Sequence, residues 1–261
     1  MRSIYVLCVS VFIFSFLILT LSAQAQRGGP EGVPPENVIR VEPVNGITVG
    51  SGKKLWVFAF PARGGNPGPP DGGGDETECP APCDDDNDTN TSFSLLGFEI
   101  PNGGLNVNIN DSSIPIGGDV TGAIGSSFAT WNSANAAFGL SVNPSSGANG
   151  PAEDGNNTVG WVRIVPKNVL AATWVWTVDD IVTDVDIFFN LFHKWEVLGG
   201  CGGSKFDVEG ICTHEAGHLI GLGHFSDDCK MATMYPSAPK GEIKKRTLTS
   251  GDINGAIAVT P

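Results

Sequence analysis

The sequence predicts an α+β domain whose sheet is laid down before its last helices. Three observations carry this. β-rich runs cluster between residues 105 and 190, one helical stripe interrupts them, and a second helical pattern bearing three of the four histidines follows Phe206. Hydrophobic residues make up 41% of the 261 and charged residues 16%, enough for one main core. The formal charge of −13 repels a nucleic-acid backbone, so no nucleic-acid partner is expected.

At the N-terminus, Arg2 precedes an apolar run from Ile4 to Leu21, and Ala23-Gln24-Ala25 supplies a small-x-small cleavage pattern. Residues 1–25 therefore read as a signal peptide, and the mature chain as secreted, with no membrane association after cleavage. The run is about 27 Å long as a helix against a bilayer core of about 30 Å, so an uncleaved anchor is the alternative, with periplasmic retention another. Residues 26–91 read as an N-terminal extension and linker, and as a candidate pro-segment. Within it "NVIRVEPV" and "KKLWVFAF" are short β-like runs that suit a hairpin or small docked segment. The stretch from Pro61 to Thr91 has no large apolar side chain and is crowded with Gly, Pro, Asp and Asn, so the functional core is placed at residues 92–261.

In that core "LNVNIN" alternates Leu105, Val107 and Ile109 against asparagines, a half-buried strand. Asp119 then caps a helix whose stripe is Val120, Ile124, Phe128 and Trp131. "TVGWVRIV", "VLAATWVWTV" and "DVDIFFN" are three further strands, rich in β-branched and aromatic residues. The last helical region begins after Asp207, its expected cap.

That helix carries "HEAGHLIGLGH". His214 and His218 lie one turn apart, so their imidazoles share a face. Gly221 permits a left-handed turn that swings His224 back toward them, and Glu215 borders the same face. Three neutral nitrogen ligands with one position left to water is the pattern of a catalytic zinc, which polarises a carbonyl and activates water while a neighbouring carboxylate carries the proton. Amide hydrolysis is the natural reaction. A catalytically silent zinc-binding or adhesion module is the competing class, and Glu215 argues against it because such a module needs no base there.

The motif H-E-x-x-H-x-x-G-x-x-H, followed by "ATMYPS", resembles the metzincin metalloproteases, and within them the matrixin group. "VLAATWVW" is similar to that group's substrate-side edge strand, "DVDIFFNLFHKW" to its last strand, and "LTSGDINGAIAV" to its C-terminal helix. The resemblance covers residues 92 to 261. It implies a twisted, mostly parallel sheet with a zinc-binding helix and a C-terminal helix, acting as a monomeric zinc endopeptidase. Protein or peptide substrates would add to the sheet as an extended strand. It assigns His214, His218 and His224 as ligands, Glu215 as general base and acid, and Met234 as the structural floor of a Met-turn. Tyr235 and Pro236 open the wall of the specificity pocket, which runs on to Thr247.

One catalytic zinc is expected, since the only histidine outside the motif is His193, read as a surface residue. Structural calcium (Ca2+) is implied by the resemblance, with "DDDNDTN" and "EDGNN" as the oxygen-rich runs. This chain departs from the group at Ala238, where a tyrosine is common, at Phe225, and at Gly251, which leaves Asp252 alone. "KGEIKKR" reads as a solvated basic loop. Export makes disulfides available: Cys79 and Cys83 suit a local bridge or a cysteine switch, and Cys229 a bridge to Cys212 or Cys201.

Overall fold

The structure is a computed structural model that describes residues 38–63, 92–145, 147–197, 199–224 and 232–259. The expected signal peptide, the "DDDNDTN" run and Cys79, Cys83, Phe225 and Cys229 lie outside these residues.

Among the described residues, nine strands lie in the chain up to Asn190, with a first helix between the fifth and sixth: β1 (Val38–Arg40), β2 (Val44–Thr48), β3 (Lys53–Pro61), β4 (Ser94–Leu95), β5 (Asn106–Asn110), β6 (Ser141–Ser145), β7 (Thr158–Val165), β8 (Val169–Val178) and β9 (Ile181–Asn190). Three two-residue strands follow, β10 (Trp195–Glu196), β11 (Phe206–Asp207) and β12 (Leu222–Gly223). The main sheet runs β2-β3-β8-β9-β7-β5-β6, with β1 also on β7. From β6 through β5 and β7 to β9 every pairing is parallel, and β8 closes this group antiparallel to β9. These five strands form the mostly parallel sheet that the sequence reading expected of an α+β domain.

Helix α1 (Val120–Ala134) buries Val120, Ile124, Phe128 and Trp131, the predicted stripe, and Asp119 accepts from the Gly122 amide at 2.8 Å. Helix α2 (Val208–Leu219) is capped by Asp207, which accepts from Gly210 N at 2.8 Å. α3 (Ser250–Val259) closes the fold. The Trp131 indole donates to the Thr213 carbonyl at 2.8 Å and Ser127 Oγ to the Glu209 carbonyl at 2.8 Å, which fixes α1 against α2. The main core lies between the helices and one sheet face. A smaller one, with Val57, Ile164, Trp174 and Phe188, covers the other face. β8 is thus buried on both sides, which explains why "VLAATWVWTV" reads as a continuous run rather than an alternation.

Two features differ from the sequence reading. β6, "SVNPS", shows no apolar alternation, and its Pro144 is tolerated because the strand is at the sheet's edge. More consequentially, strands upstream of Ser92 belong to the main sheet, β2 and β3 by the chain of pairings and β1 through β7. The expected hairpin of "NVIRVEPV" with "KKLWVFAF" is not the one formed: β1, inside the first run, pairs parallel with β7, and β3 instead pairs antiparallel with β2 (Val44–Thr48) and with β8 along its whole length, from Lys53 opposite Val178 to Phe60 opposite Ala171. The Gly- and Pro-rich composition behind the earlier boundary begins only after β3, whose Trp56, Val57 and Phe60 are core residues.

Candidate metal centre

α2 brings the first two histidines together by its turn. Its C-terminal end then reverses at Gly221, whose φ of +101° suits glycine and where a Cβ would stand 2.8 Å from the Phe98 carbonyl oxygen. β12 follows and delivers His224 to the other two.

The ligand atoms of His214, His218 and His224 lie within 4.8 Å of one another. The Nε2 of His224 is 3.0 Å from that of His214 and 3.1 Å from that of His218. The Nδ1 atoms point elsewhere: His214 Nδ1 donates to the Thr233 carbonyl at 2.6 Å and His218 Nδ1 to the Leu222 carbonyl at 2.7 Å. Those bonds fix the tautomer that leaves the Nε2 lone pairs facing inward. Burial first, then the neighbouring imidazoles, holds His214 and His218 well below the usual histidine range, while burial and then Lys245 bring His224 down to about 4. All three are therefore neutral at pH 7. Lone pairs this close repel one another unless a cation sits among them, and tetrahedral zinc with nitrogen ligands near 2.0–2.1 Å separates them by about 3.3 Å. The donor set fits a zinc-like divalent ion.

Glu215 is fully buried, and burial pushes its carboxyl up to about 8, opposed by a hydrogen bond from the Thr173 hydroxyl to Oε2. Its Oε1 has no hydrogen-bond partner. Met234 lies beneath α2, so close to Gly217 that a Cβ there would sit 2.2 Å from the Met234 sulfur. Tyr235 and Pro236 are half-buried at the start of the segment beyond Met234. Ala238 is buried and forms a parallel bridge with Ala62.

Several readings are corrected. Lys245 is not part of a solvated loop: it is 1% exposed, and its ammonium donates to the carbonyls of Ala232 at 2.9 Å, Thr233 at 3.4 Å and Tyr235 at 3.1 Å. Arg246 makes a two-pronged pair with Asp207, at 2.7 Å through Nε and 2.6 Å through its second terminal nitrogen. His193 is half-buried rather than on the surface, held by the Val169 carbonyl at 3.0 Å and set edge-on to Trp195 and Phe206. Cys212 is a buried free thiol, so the alternative pairing it with Cys229 is not taken. The "EDGNN" run is tied down by two carboxylates of β9: Asp184 accepts from the amides of Asp154 and Gly155, each at 2.7 Å, and Asp186 from those of Ala152 and Thr158, each at 2.9 Å.

Sequence reasoning missed three contributors. Thr173 lay inside an apolar strand and gave no signal. Lys245 was hidden in a basic run. Asp252, which accepts from the amides of Thr233 at 3.0 Å and Met234 at 3.1 Å and so pins the turn beneath the histidines, was legible in principle: Thr249-Ser250-Gly251-Asp252 has capping-box spacing.

Residues 161–259 match the matrixin (Peptidase_M10) family model. Metalloendoproteinase 1 of Glycine max is 50% identical over 77 residues, covering 28% of this chain and 24% of that protein. Metalloendoproteinase 1-MMP of Arabidopsis thaliana is 43% identical over 60 residues, 23% of this chain and 16% of that protein. The chain thus matches less than a quarter of the length of these relatives. The region around the histidine site is that of a matrixin-like metzincin.

Proposed function

We propose that this matrixin-like chain is a secreted, zinc-dependent endopeptidase that hydrolyses peptide bonds in extracellular proteins, with Glu215 as general base. The observation that carries the reading is the convergence of three neutral Nε2 atoms beside a buried carboxylate with one uncommitted oxygen. His214, His218 and His224 would hold one zinc, which when bound supplies polarisation of the substrate carbonyl and acidification of a water. Glu215 Oε1 would take the water's proton as a carboxylate and pass it to the departing amide nitrogen. Thr173 keeps the other carboxylate oxygen fixed during both transfers. Lys245 and Asp252 hold the turn through Met234, whose Thr233 carbonyl orients His214.

The support for export is the sequence pattern of residues 1–25. With Cys212 a free thiol, Cys201 is the partner we assign to Cys229. Structural calcium, if bound at the "EDGNN" loop, would use Asp184 Oδ1, a buried oxygen without a hydrogen-bond partner.

The test combines zinc stoichiometry with cleavage of an unfolded protein by the exported chain, before and after limited proteolysis, beside the Glu215→Ala variant. Cleavage that disappears in the variant and under chelation supports the reading. A nicked, zinc-loaded wild type that cuts nothing makes the chain a silent zinc-binding module.

A further inference from the structure

We propose that Lys245 is a positioning residue that acts on the metal through His214. Its buried positive charge shares a backbone carbonyl with that ligand, so the site holds its ion less tightly, and leaves it more electron-poor, than the three histidines would alone. The inference rests on the zinc-binding part of the reading above.

The carbonyl of Thr233 has two donors. His214 Nδ1 approaches it at 2.6 Å and the Lys245 ammonium at 3.4 Å. The other two bonds of the ammonium go to the carbonyls of Ala232 at 2.9 Å and Tyr235 at 3.1 Å, so the segment around Met234 turns three carbonyls toward one cation. Lys245 is buried, and the rings of Phe60 and Tyr235 stand 5.5 and 5.6 Å from its ammonium. Water is kept from this charge, and its field is screened little.

Neighbouring carboxylates cancel that field incompletely. Glu242 and Asp252 both face the ammonium, while Arg63 adds a positive charge. Asp252 is already engaged by the amides of Thr233 at 3.0 Å, Met234 at 3.1 Å and Thr249 at 2.9 Å, and by the Thr249 hydroxyl at 2.8 Å. Glu242 keeps a buried oxygen, Oε1, without a hydrogen-bond partner. The cation is thus met by dipoles more than by a counter-ion.

A histidine donates more strongly to its metal when the acceptor of its Nδ1–H is more basic. A cation on the same acceptor draws electron density the other way, and its field opposes a second positive charge nearby. Both effects have one sign, a weaker hold on a dication and a stronger pull by that dication on a substrate carbonyl. The ligand rings register the same field: after burial and the other imidazoles, Lys245 helps to hold His214 down, and after burial it does so for His224.

Losing a partner behind a metal-bound histidine ordinarily costs about 10–100-fold in metal affinity. Here the expected sign is the reverse, which separates charge from scaffolding. The protein is the full exported chain, the probe is Zn2+ alone, and the reading is its dissociation constant at pH 7 by competition with a chromogenic chelator. Lys245→Met keeps the stem and removes the charge, and we expect it to bind zinc about tenfold more tightly than wild type. Glu242→Gln keeps the shape and removes a counter-charge, and we expect it to bind zinc about threefold more weakly; it carries the test alone if Lys245→Met does not fold. With zinc saturating, kcat of Lys245→Met should fall although the metal is held more tightly. Unchanged or weaker zinc binding in Lys245→Met, unchanged or tighter binding in Glu242→Gln, or a raised kcat in Lys245→Met overturns the proposal. A wild type that takes up no zinc sinks the zinc reading itself, and one that shows these affinity shifts but cleaves nothing sinks the peptidase reading alone.

Discussion

The Thr173 hydroxyl donates to Glu215 Oε2 and leaves Oε1 as the open oxygen of a fully buried carboxylate. A central strand thereby aims a helix residue. Thr173→Val keeps the shape and removes the donor, and a hydrogen bond to a charged group is worth about 1.5–3 kcal/mol. The expected result is a fall of about tenfold or more in kcat with zinc content unchanged, checked by steady-state kinetics beside metal analysis. A kcat that does not move means the hydroxyl does not position the base.

Gly217 and Met234 touch where no Cβ can fit, since an added carbon would lie 2.2 Å from the Met234 sulfur and 2.8 Å from Trp131. Gly217→Ala should therefore destabilise the chain by about 1–3 kcal/mol, despite alanine's better helix propensity. Thermal unfolding reads this directly, and a raised midpoint would contradict the packing.

Asp207 serves two partners at once, the Gly210 amide at the start of α2 and the Arg246 fork. Asp207→Ala should cost roughly 2–3 kcal/mol, because it removes a cap and leaves the partly exposed Arg246 with its longer contact to Glu209 at 3.5 Å. In a urea double-mutant cycle with Arg246→Ala the losses should be strongly sub-additive. Simple additivity would show the pair to be uncoupled.

Burial pushes the Cys212 thiol up to about 12, with Ser127 opposing and the Glu215 and Glu209 charges adding to the shift. A thiol of this kind holds almost no thiolate at neutral pH. Iodoacetamide should leave Cys212 unlabelled in the folded chain and label it rapidly in urea, as followed by peptide mass mapping. Fast labelling of the native chain would place this cysteine at the surface.

Asp186 titrates in the opposite sense from an ordinary surface carboxylate. Burial first raises it from 3.8 to about 8, the Asp184 charge adds, and the Ala152 and Thr158 amides oppose. Between about pH 4 and 8 the folded chain keeps a proton that the unfolded chain has lost, so this group's contribution to stability declines as pH rises through that window. Asp186→Asn should flatten the difference, seen as a smaller change in urea midpoint from pH 5 to 8 than in wild type. Identical pH profiles would refute the assignment.

Much of this was legible before any coordinates. Periodicity and caps gave α1 from Asp119 onward and the strands at 158–165 and 169–178 with their observed limits, because each repeats one pattern over eight or more residues. The spacing of His214, His218, Gly221 and His224 forecast a site made by one helix turn and one reversal, since those contacts are local in sequence. What escaped were contacts between distant segments. Nothing local links Thr173 to Glu215, or the amides of Thr233 and Met234 to Asp252. Lys245 looked like surface because a charged residue in a basic run usually is, and only the three carbonyls around its ammonium make burial tolerable. The pairing of β3 with β8 likewise spans a segment whose composition suggested separation.

The N-terminal hairpin also governs how one molecule meets another. With it in place, the outermost strand on this side is β2, five residues long and kinked by a register shift near Gly46, a poor template for a neighbouring chain. Stripping the hairpin away would bare the ten-residue border of β8, long and rich in β-branched and aromatic residues. Losing the hairpin thus makes the molecule adhesive, and a chain trimmed ahead of β4 should be the form that clumps as its concentration rises.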